Sequence, residues 1–142
     1  MLDAKKFAFV RQEDRYGVVD RVPYLPLRLI HKESVLEVSG LLDTGSSVNV
    51  LPYDLGVQLG VIWENQTTEI VLSGNLALLK ARGLVLSAKV SDFEIVRLAF
   101  AWTLSNEVPL ILGRSNFFCE FDVCFYASQA SFDIRQIGKS RK

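Results

Sequence analysis

The sequence predicts an all-β fold, a small closed barrel or sandwich with one or two short helices. About eight short segments alternate apolar with polar residues, or form brief apolar runs, in the manner of strands. Glycine, proline, asparagine and serine separate these segments at close intervals, as turns require. The 142 residues suit one domain, and a composition of 49% hydrophobic and 23% charged residues is sufficient to form a core.

We predict one barrel domain over residues 21–136, with an N-terminal arm over 1–20 and a basic tail over 137–142. The arm carries a strand pattern at 7–10 and a polar turn at 11–15, and it can be flexible, as chain termini often are. Strand patterns then cover residues 24–30, 35–42, 67–72, 76–81, 84–90, 93–101, 121–125 and 131–134, with a short helix over 52–60 and a break at Gly83.

Charge and histidine content exclude several classes of function. Sixteen basic and sixteen acidic residues give no net charge, so nothing favours a nucleic-acid partner, and a near-neutral surface is compatible with self-association. The single histidine, His31, lies in a predicted polar turn with no neighbour to orient it. No metal-ligand spacing is present, so we expect no metal and no cofactor.

The two cysteines and the apolar runs bear on the cellular compartment. Cys119 and Cys124 point to opposite faces if their segment is extended, so we expect free thiols in a reducing compartment. The N-terminal residues contain no apolar leader, and no uncharged apolar run reaches about 18 residues. We therefore expect a cytoplasmic protein without a membrane partner.

The stretch Leu41-Leu42-Asp43-Thr44-Gly45-Ser46-Ser47 is the most informative part of the sequence. An apolar strand ends on a carboxylate inside a tight loop, and a second apolar strand, Val48-Asn49-Val50-Leu51, leaves that loop. Gly45 lets the backbone turn sharply, and the neighbouring hydroxyls can donate hydrogen bonds to a carboxylate. The pattern indicates an acid held in a defined direction, although an Asx-type turn between two strands would use the same residues.

Asp43-Thr44-Gly45-Ser46 resembles the active-site loop of the aspartic proteases. Because the chain has one such triplet and is too short for a two-lobed enzyme, it resembles the retropepsins of the single-domain cellular and bacterial type. In these retroviral-type proteases each of two identical subunits supplies one aspartate. Ile111-Leu112-Gly113-Arg114 resembles the segment that passes under this loop in retropepsins and enters a short helix, here residues 115–118. The resemblance covers residues 24–134.

The resemblance implies a role for each residue of the loop. Asp43 would share a proton with its counterpart in the partner subunit and activate water. Thr44 would form a hydrogen bond across the two-fold axis to the partner loop, and Gly45 would let the substrate backbone pass close. Ser46 would donate to a carboxylate oxygen, and Gly113 would allow close packing under the loop.

Two features depart from the family pattern. Many retroviral enzymes have a second aspartate two residues after the loop glycine, paired with the arginine of the segment under the loop. This chain has Ser47 there, which leaves the role of Arg114 open. The predicted hairpin of residues 67–81 occupies the position of the flap that closes over bound peptide, but its tip has a single glycine where retroviral flaps have several.

The predicted substrate-binding residues of this hairpin are Leu72, Ser73, Gly74, Asn75 and Leu76; a purely structural hairpin is the alternative. Phe132 and Ile134 are the predicted anchors of the dimer interface. The resemblance as a whole implies a homodimeric aspartic endopeptidase that acts on peptides or proteins. Two alternatives stay open, a retropepsin-like module that only dimerises or binds peptides, and an unrelated barrel with a chance Asp-Thr-Gly.

Overall fold

A computed structural model describes residues 3–138, so residues 1–2 of the predicted arm and 139–142 of the predicted tail lie outside it. The strands are β1 Lys5–Ala8, β2 Val10–Glu13, β3 Val19–Val22, β4 Tyr24–His31, β5 Ser34–Leu42, β6 Asn49–Leu51, β7 Glu69–Ile70, β8 Ala81–Lys89, β9 Val96–Thr103, β10 Ile111–Leu112, β11 Phe121–Tyr126 and β12 Ser131–Gln136. The helices are α1 Tyr53–Gln58 and α2 Phe117–Glu120, and short 3-10 turns cover Trp63–Asn65, Gly74–Leu76 and Ala127–Gln129.

Six strands close into a barrel in the order β4-β5-β10-β6-β9-β8, and β8 pairs back onto β4. The pairs β5–β10 and β6–β9 are parallel, whereas the other pairs around the barrel are antiparallel. Strand β7 adds to the outer edge of β8. This arrangement confirms the predicted all-β barrel with two short helices.

The alternation of apolar and polar residues in β4 determines which face of this strand lies in the core of the barrel. Successive side chains of a strand point to opposite faces of the sheet. Leu25, Leu27 and Leu29 are buried in the main core, while Pro26 and Arg28 between them are exposed. The apolar face therefore turns inward, and each buried leucine contributes about 1.5–3 kcal/mol relative to an exposed one.

The terminal strands form a second sheet in the order β1-β12-β11. Phe132 and Ile134 of its central strand are fully buried, and the Phe132 ring stacks on Phe7 with ring centroids 5.5 Å apart. The prediction that these two residues anchor a dimer interface is therefore not supported, because both side chains pack inside their own subunit. On the opposite face the Lys6 ammonium, 3.1 Å from the Asp133 carboxylate, lowers the pKa of that acid.

The N-terminal residues are more regular than their sequence suggests. Strand β1 joins the terminal sheet, and β2 and β3 form a separate two-stranded hairpin. The predicted polar turn at 11–15 is wrong, because Val10–Glu13 is a strand. The turn follows it, where the Asp14 carboxylate accepts hydrogen bonds from the backbone N–H groups of Tyr16 and Val18 at 2.8 and 2.9 Å.

Two further local predictions are wrong. Gly83 does not break the chain into separate strands, because it lies inside β8, opposite Ala101 of β9. Cys119 lies in α2 instead of an extended segment, although both it and Cys124 are free cysteines, as expected. In the described part of the chain, no helix has both the length and the hydrophobicity of a membrane span.

Helix α1 contains a glycine because an indole ring lies against it. A Cβ atom at Gly56 would lie 2.2–2.5 Å from three ring atoms of Trp102, which is fully buried. The indole nitrogen of Trp102 donates to the Tyr53 carbonyl at 3.1 Å, and the ring also packs edge-on against Trp63. The helix is therefore fixed to β9 by a ring that leaves no room for a side chain at residue 56.

We predict that Gly56→Ala destabilises the protein by about 1–3 kcal/mol through overpacking against Trp102. Helix propensity alone would favour alanine by about 1 kcal/mol, so the sign of the change separates the two effects. Urea unfolding followed by tryptophan fluorescence measures it. Gln58→Ala, at an exposed position of the same helix, is the control and should be near neutral. A Gly56→Ala protein at least as stable as wild type would contradict the packing described here.

Candidate active site

Asp43 is placed by the strand that precedes it and by the strand beside that one. It follows the last residue of β5, and its backbone N–H donates to the carbonyl of Leu112 in β10 at 3.0 Å. This bond continues the parallel pairing of β5 with β10, in which Leu42 lies opposite Leu112. The backbone of Asp43 is therefore held by the barrel wall, while its side chain belongs to the loop that leaves the barrel.

The loop itself directs the carboxylate. The N–H of Gly45 donates to Asp43 Oδ1 at 2.9 Å, and the N–H of Ser46 donates to the Asp43 carbonyl at 3.1 Å. The predicted bond from the Ser46 hydroxyl to a carboxylate oxygen is wrong, because this hydroxyl donates to the Val48 carbonyl at 2.7 Å. Ser46 therefore fixes the end of the loop, and neither carboxylate oxygen of Asp43 accepts a hydrogen bond from this residue.

Gly113 allows the next strand to pass directly under the loop. A Cβ atom there would lie 2.3 Å from the Val48 carbonyl oxygen and 2.8 Å from that of Ser46. Real Cβ atoms do not approach backbone oxygens so closely, so any side chain would separate the two segments. The structure thus gives a steric reason for glycine at the position where the resemblance implied close packing.

Arg114 holds the loop from its other side. Its backbone N–H donates to the Ser46 carbonyl at 2.9 Å, and its Nη1 donates to the Thr44 carbonyl at 2.7 Å. The Arg114 side chain therefore stabilises the loop through the backbone oxygen of Thr44, the residue that follows Asp43. The Thr44 side chain is exposed. Its predicted contact across a two-fold axis stays a prediction, because the structure contains one subunit.

Two asparagine amides, that of the buried Asn49 and that of the half-buried Asn116, complete the support, and the sequence analysis missed the role of both. Asn49 is fully buried; its Oδ1 accepts the N–H of Gly113 at 2.8 Å and its Nδ2 donates to the Ala99 carbonyl at 3.0 Å. Asn116 donates to the Arg97 carbonyl at 2.9 Å, and its Oδ1 accepts the N–H of Ala99 at 3.0 Å. Together they tie the loop, β9 and the segment after β10 into one hydrogen-bonded unit. The amide of Asn49 inside the otherwise apolar run 48–51 was the sequence feature that could have indicated a buried, hydrogen-bonded side chain.

A cavity of about 480 Å³ opens beside Asp43. The structure brings all five predicted substrate-binding residues to this cavity, together with most of the loop and the start of β10. The lining residues are Asp43, Gly45, Ser46, Ser47, Val48, Val50, Val71, Leu72, Ser73, Gly74, Asn75, Leu76, Ile111 and Arg114. The carboxylate therefore faces a space that has an apolar floor and a polar rim.

The segment over the cavity is not the predicted hairpin with two regular strands. Regular pairing covers only Glu69–Ile70 against Ala81–Arg82, and the residues between form a 3-10 turn at Gly74–Leu76 and irregular backbone. The return strand predicted over 76–81 is therefore wrong. Val71 and Leu78 in this segment are 93% and 98% exposed, so the segment presents apolar side chains to solvent.

A larger cavity, about 790 Å³, lies between β1, the β4–β5 hairpin and the turn after β8. Its two acids already have partners, because Glu37 pairs with Arg28 and Asp92 pairs with Lys5. The Lys5 ammonium also lowers the pKa of Asp92. Both acids thus already form ion pairs, and neither lies in a loop like that of Asp43. We therefore assign the candidate active site to Asp43.

The described residues contain no cluster of histidine, cysteine and acidic side chains that could hold a metal ion. The cavity beside Asp43 therefore presents one carboxylate, backbone groups, hydroxyls and one guanidinium. A carboxylate can accept a proton and so act as a base. Among the residues that line this cavity, Asp43 is the single acid.

The comparisons with known proteins agree with this geometry at the level of the fold. No family model matches the chain, and no curated protein is similar to it in sequence. Among solved structures, the fold resembles that of a retropepsin-like aspartic protease from Rickettsia conorii, with a TM-score of 0.61 over 92% of this chain and 90% of that one. The two sequences are 15% identical, so the match shows a retropepsin-like fold.

We predict that Asn49→Ala lowers the free energy of unfolding by about 1–3 kcal/mol, because the buried N–H of Gly113 loses its acceptor. Chemical denaturation measures the loss. Asn75→Ala, an identical substitution at an exposed asparagine beside the same cavity, is the control. Equal stability of the two variants would show that the amide of Asn49 does not support the loop.

Proposed function

We propose that the protein is a homodimeric aspartic endopeptidase in which the two Asp43 carboxylates, one from each subunit, activate a water molecule for peptide hydrolysis. The observation that carries this proposal is the position of Asp43, at the end of a barrel strand, in an Asp-Thr-Gly loop braced by Gly113 and facing a cavity. The retropepsin-like fold agrees with it.

The chemistry requires the second carboxylate. Peptide hydrolysis without a metal or a covalent nucleophile needs a base to take a proton from water and an acid to protonate the departing nitrogen. Two carboxylates about 3 Å apart cannot both ionise, so they share one proton, and the pair acts as base and acid together. A second copy of the chain is the source of an identical Asp43 loop.

The pathway of the reaction follows from this pair. The ionised member removes a proton from water while the oxygen attacks the scissile carbonyl carbon, and the protonated member donates to the carbonyl oxygen. The resulting tetrahedral intermediate is a gem-diol. As its carbon–nitrogen bond breaks, the protonated carboxyl group donates a proton to the departing nitrogen and the ionised one takes a proton from a hydroxyl of the gem-diol, which becomes the new carboxyl group. The pair then again holds one proton, which makes it ready for another cycle.

The lining of the cavity supports an extended peptide with apolar side chains as substrate. Val48, Val50, Leu72 and Ile111 form the apolar floor of the cavity that Asp43 also lines. Most residues of the segment 71–76 are exposed, and its backbone groups outside the 3-10 turn can pair with the backbone of a bound peptide, as unpaired strand edges do. Closure of this segment over the substrate would exclude water from the carboxylates.

Features outside the cavity support the dimer and its location. The terminal sheet has two outer strands, β1 and β11, whose outer edges have no partner strand within the described part of the chain. Such edges favour pairing with a second copy. Because Phe132 and Ile134 are internal, we assign the interface to these edges and to the Asp43 loops. Two free cysteines agree with a reducing compartment, and we propose a cytoplasmic location.

We predict that Asp43→Asn abolishes peptide cleavage and leaves the fold intact, because the amide has nearly the same shape but cannot act as a base. Digestion of a peptide library by purified protein at several pH values measures cleavage, and circular dichroism reports the fold. Asp54→Asn, at an exposed position of α1, is the matched control and should cleave like wild type. Cleavage by Asp43→Asn at the wild-type rate would contradict the proposed role. If wild type cleaves no peptide, the chain is a binding or dimerisation module.

We predict that Thr44→Ala weakens the dimer without unfolding the subunit, because this exposed hydroxyl has no hydrogen-bond partner in its own subunit among the described residues. When both proteins are diluted, the specific activity of the variant should begin to fall at a higher protein concentration than that of wild type. Sedimentation at matched concentrations measures the monomer fraction. Ser73→Ala, another exposed hydroxyl at the cavity rim, is the control for dimerisation. Identical dimer stability in Thr44→Ala and wild type would rule out a contact between the loops through Thr44.

A further inference from the structure

The cavity beside Asp43 contains a positive charge that the subunit does not neutralise. Among the described residues that line it, Asp43 is the sole acid and Arg114 the sole base. The Arg114 guanidinium donates from Nη1 to the Thr44 carbonyl at 2.7 Å. No described carboxylate lies within 4 Å of it, although five other ion pairs are formed elsewhere in the chain.

The neighbouring residue explains why this charge has no partner. Ser47 and Arg114 line the same cavity, and the backbone bonds from Arg114 to Ser46 and from Ser115 to Ser47 place these two segments side by side. A carboxylate at residue 47 could reach the guanidinium, but serine carries no charge. Arg114 lines the cavity, and its hydrogen bond to Thr44 uses one of the five N–H groups that a guanidinium carries in a planar fork, so further donors remain.

We propose that Arg114 is a specificity-determining residue that binds a carboxylate of the peptide in the cavity. The carboxylate belongs either to an acidic side chain near the scissile bond or to the C-terminus of a short peptide. A guanidinium suits this role because its fork can form two parallel hydrogen bonds to one carboxylate. The inference rests on the proposed peptidase function and specifies the substrate class of that same site.

The charge balance of the proposed dimer points in the same direction. The two Asp43 carboxylates with one shared proton carry one negative charge, while two Arg114 side chains carry two positive charges. The combined cleft therefore has a net positive charge in its active protonation state. Such a cleft attracts anionic substrates and repels basic ones, and it does so most strongly at low ionic strength.

The test uses full-length Asp43→Asn protein, so that binding is measured without cleavage. Fluorescent peptides capped at both ends carry one glutamate or one glutamine, moved in turn through the positions around an apolar pair. A second set has no acidic side chain and ends in a free carboxylate or an amide. In one pair, we expect the peptide with the carboxylate to bind about three- to tenfold more tightly than its uncharged counterpart, either at one glutamate position or at the C-terminus. This difference in affinity should shrink at about 0.5 M salt. The set that shows the difference identifies the source of the carboxylate.

Ser47→Asp is the decisive variant, because it supplies Arg114 with a carboxylate inside the protein and should abolish the preference for the acidic peptide. Ser47→Asn, of similar shape and no charge, should retain the preference. Equal binding of the paired peptides in both sets, or a preference that survives Ser47→Asp, would overturn the assignment, as would an absence of measurable binding. Failure of the proposed function is a separate result, because it appears as absence of cleavage by the protein with native Asp43.

Discussion

The loop that carries Asp43 depends on a backbone contact that only a residue without a side chain permits. Gly113 lies so close under the loop that a Cβ atom would be 2.3 Å from the Val48 carbonyl oxygen. This contact lets the buried Asn49 reach the N–H of Gly113 and lets Arg114 reach the Thr44 carbonyl. A steric requirement at one position therefore makes two hydrogen bonds possible, and these bonds define the loop.

The closed barrel explains why this support is rigid. Strand β10 has only two residues, yet it lies between β5 and β6, which are the strands that enter and leave the loop. Because β5 is parallel to β10, the chain passes Asp43 and Gly113 in the same direction and at the same end of the barrel. The fold thus brings together two segments about seventy residues apart, whereas the segment over the cavity is irregular.

The parts of the site that follow local rules could be predicted from the sequence. The strand–Asp-Thr-Gly–strand pattern around Asp43 and the alternation in the barrel strands depend on neighbouring residues. The contacts of Asn49 join residues far apart in the chain, so no local pattern fixes them. Alternation showed that Phe132 faces an apolar surface, but it could not distinguish the core from a partner subunit. The prediction of a strand over 76–81 was wrong because apolar character alone does not provide a pairing partner. The prediction for Ser46 was wrong because its hydroxyl donates to the carbonyl of Val48, two residues further along the chain.

The central claim is that two subunits each supply one Asp43 to a single site. Mixing wild-type protein with an equal amount of Asp43→Asn protein, under conditions where subunits exchange, tests it most directly. If a site needs both carboxylates, random pairing should reduce the cleavage rate to about half that of the wild-type protein alone, since half of its subunits enter mixed dimers. An equal amount of Asp54→Asn protein should instead add activity. A cleavage rate unchanged by the Asp43→Asn protein, with exchange verified, would contradict the account.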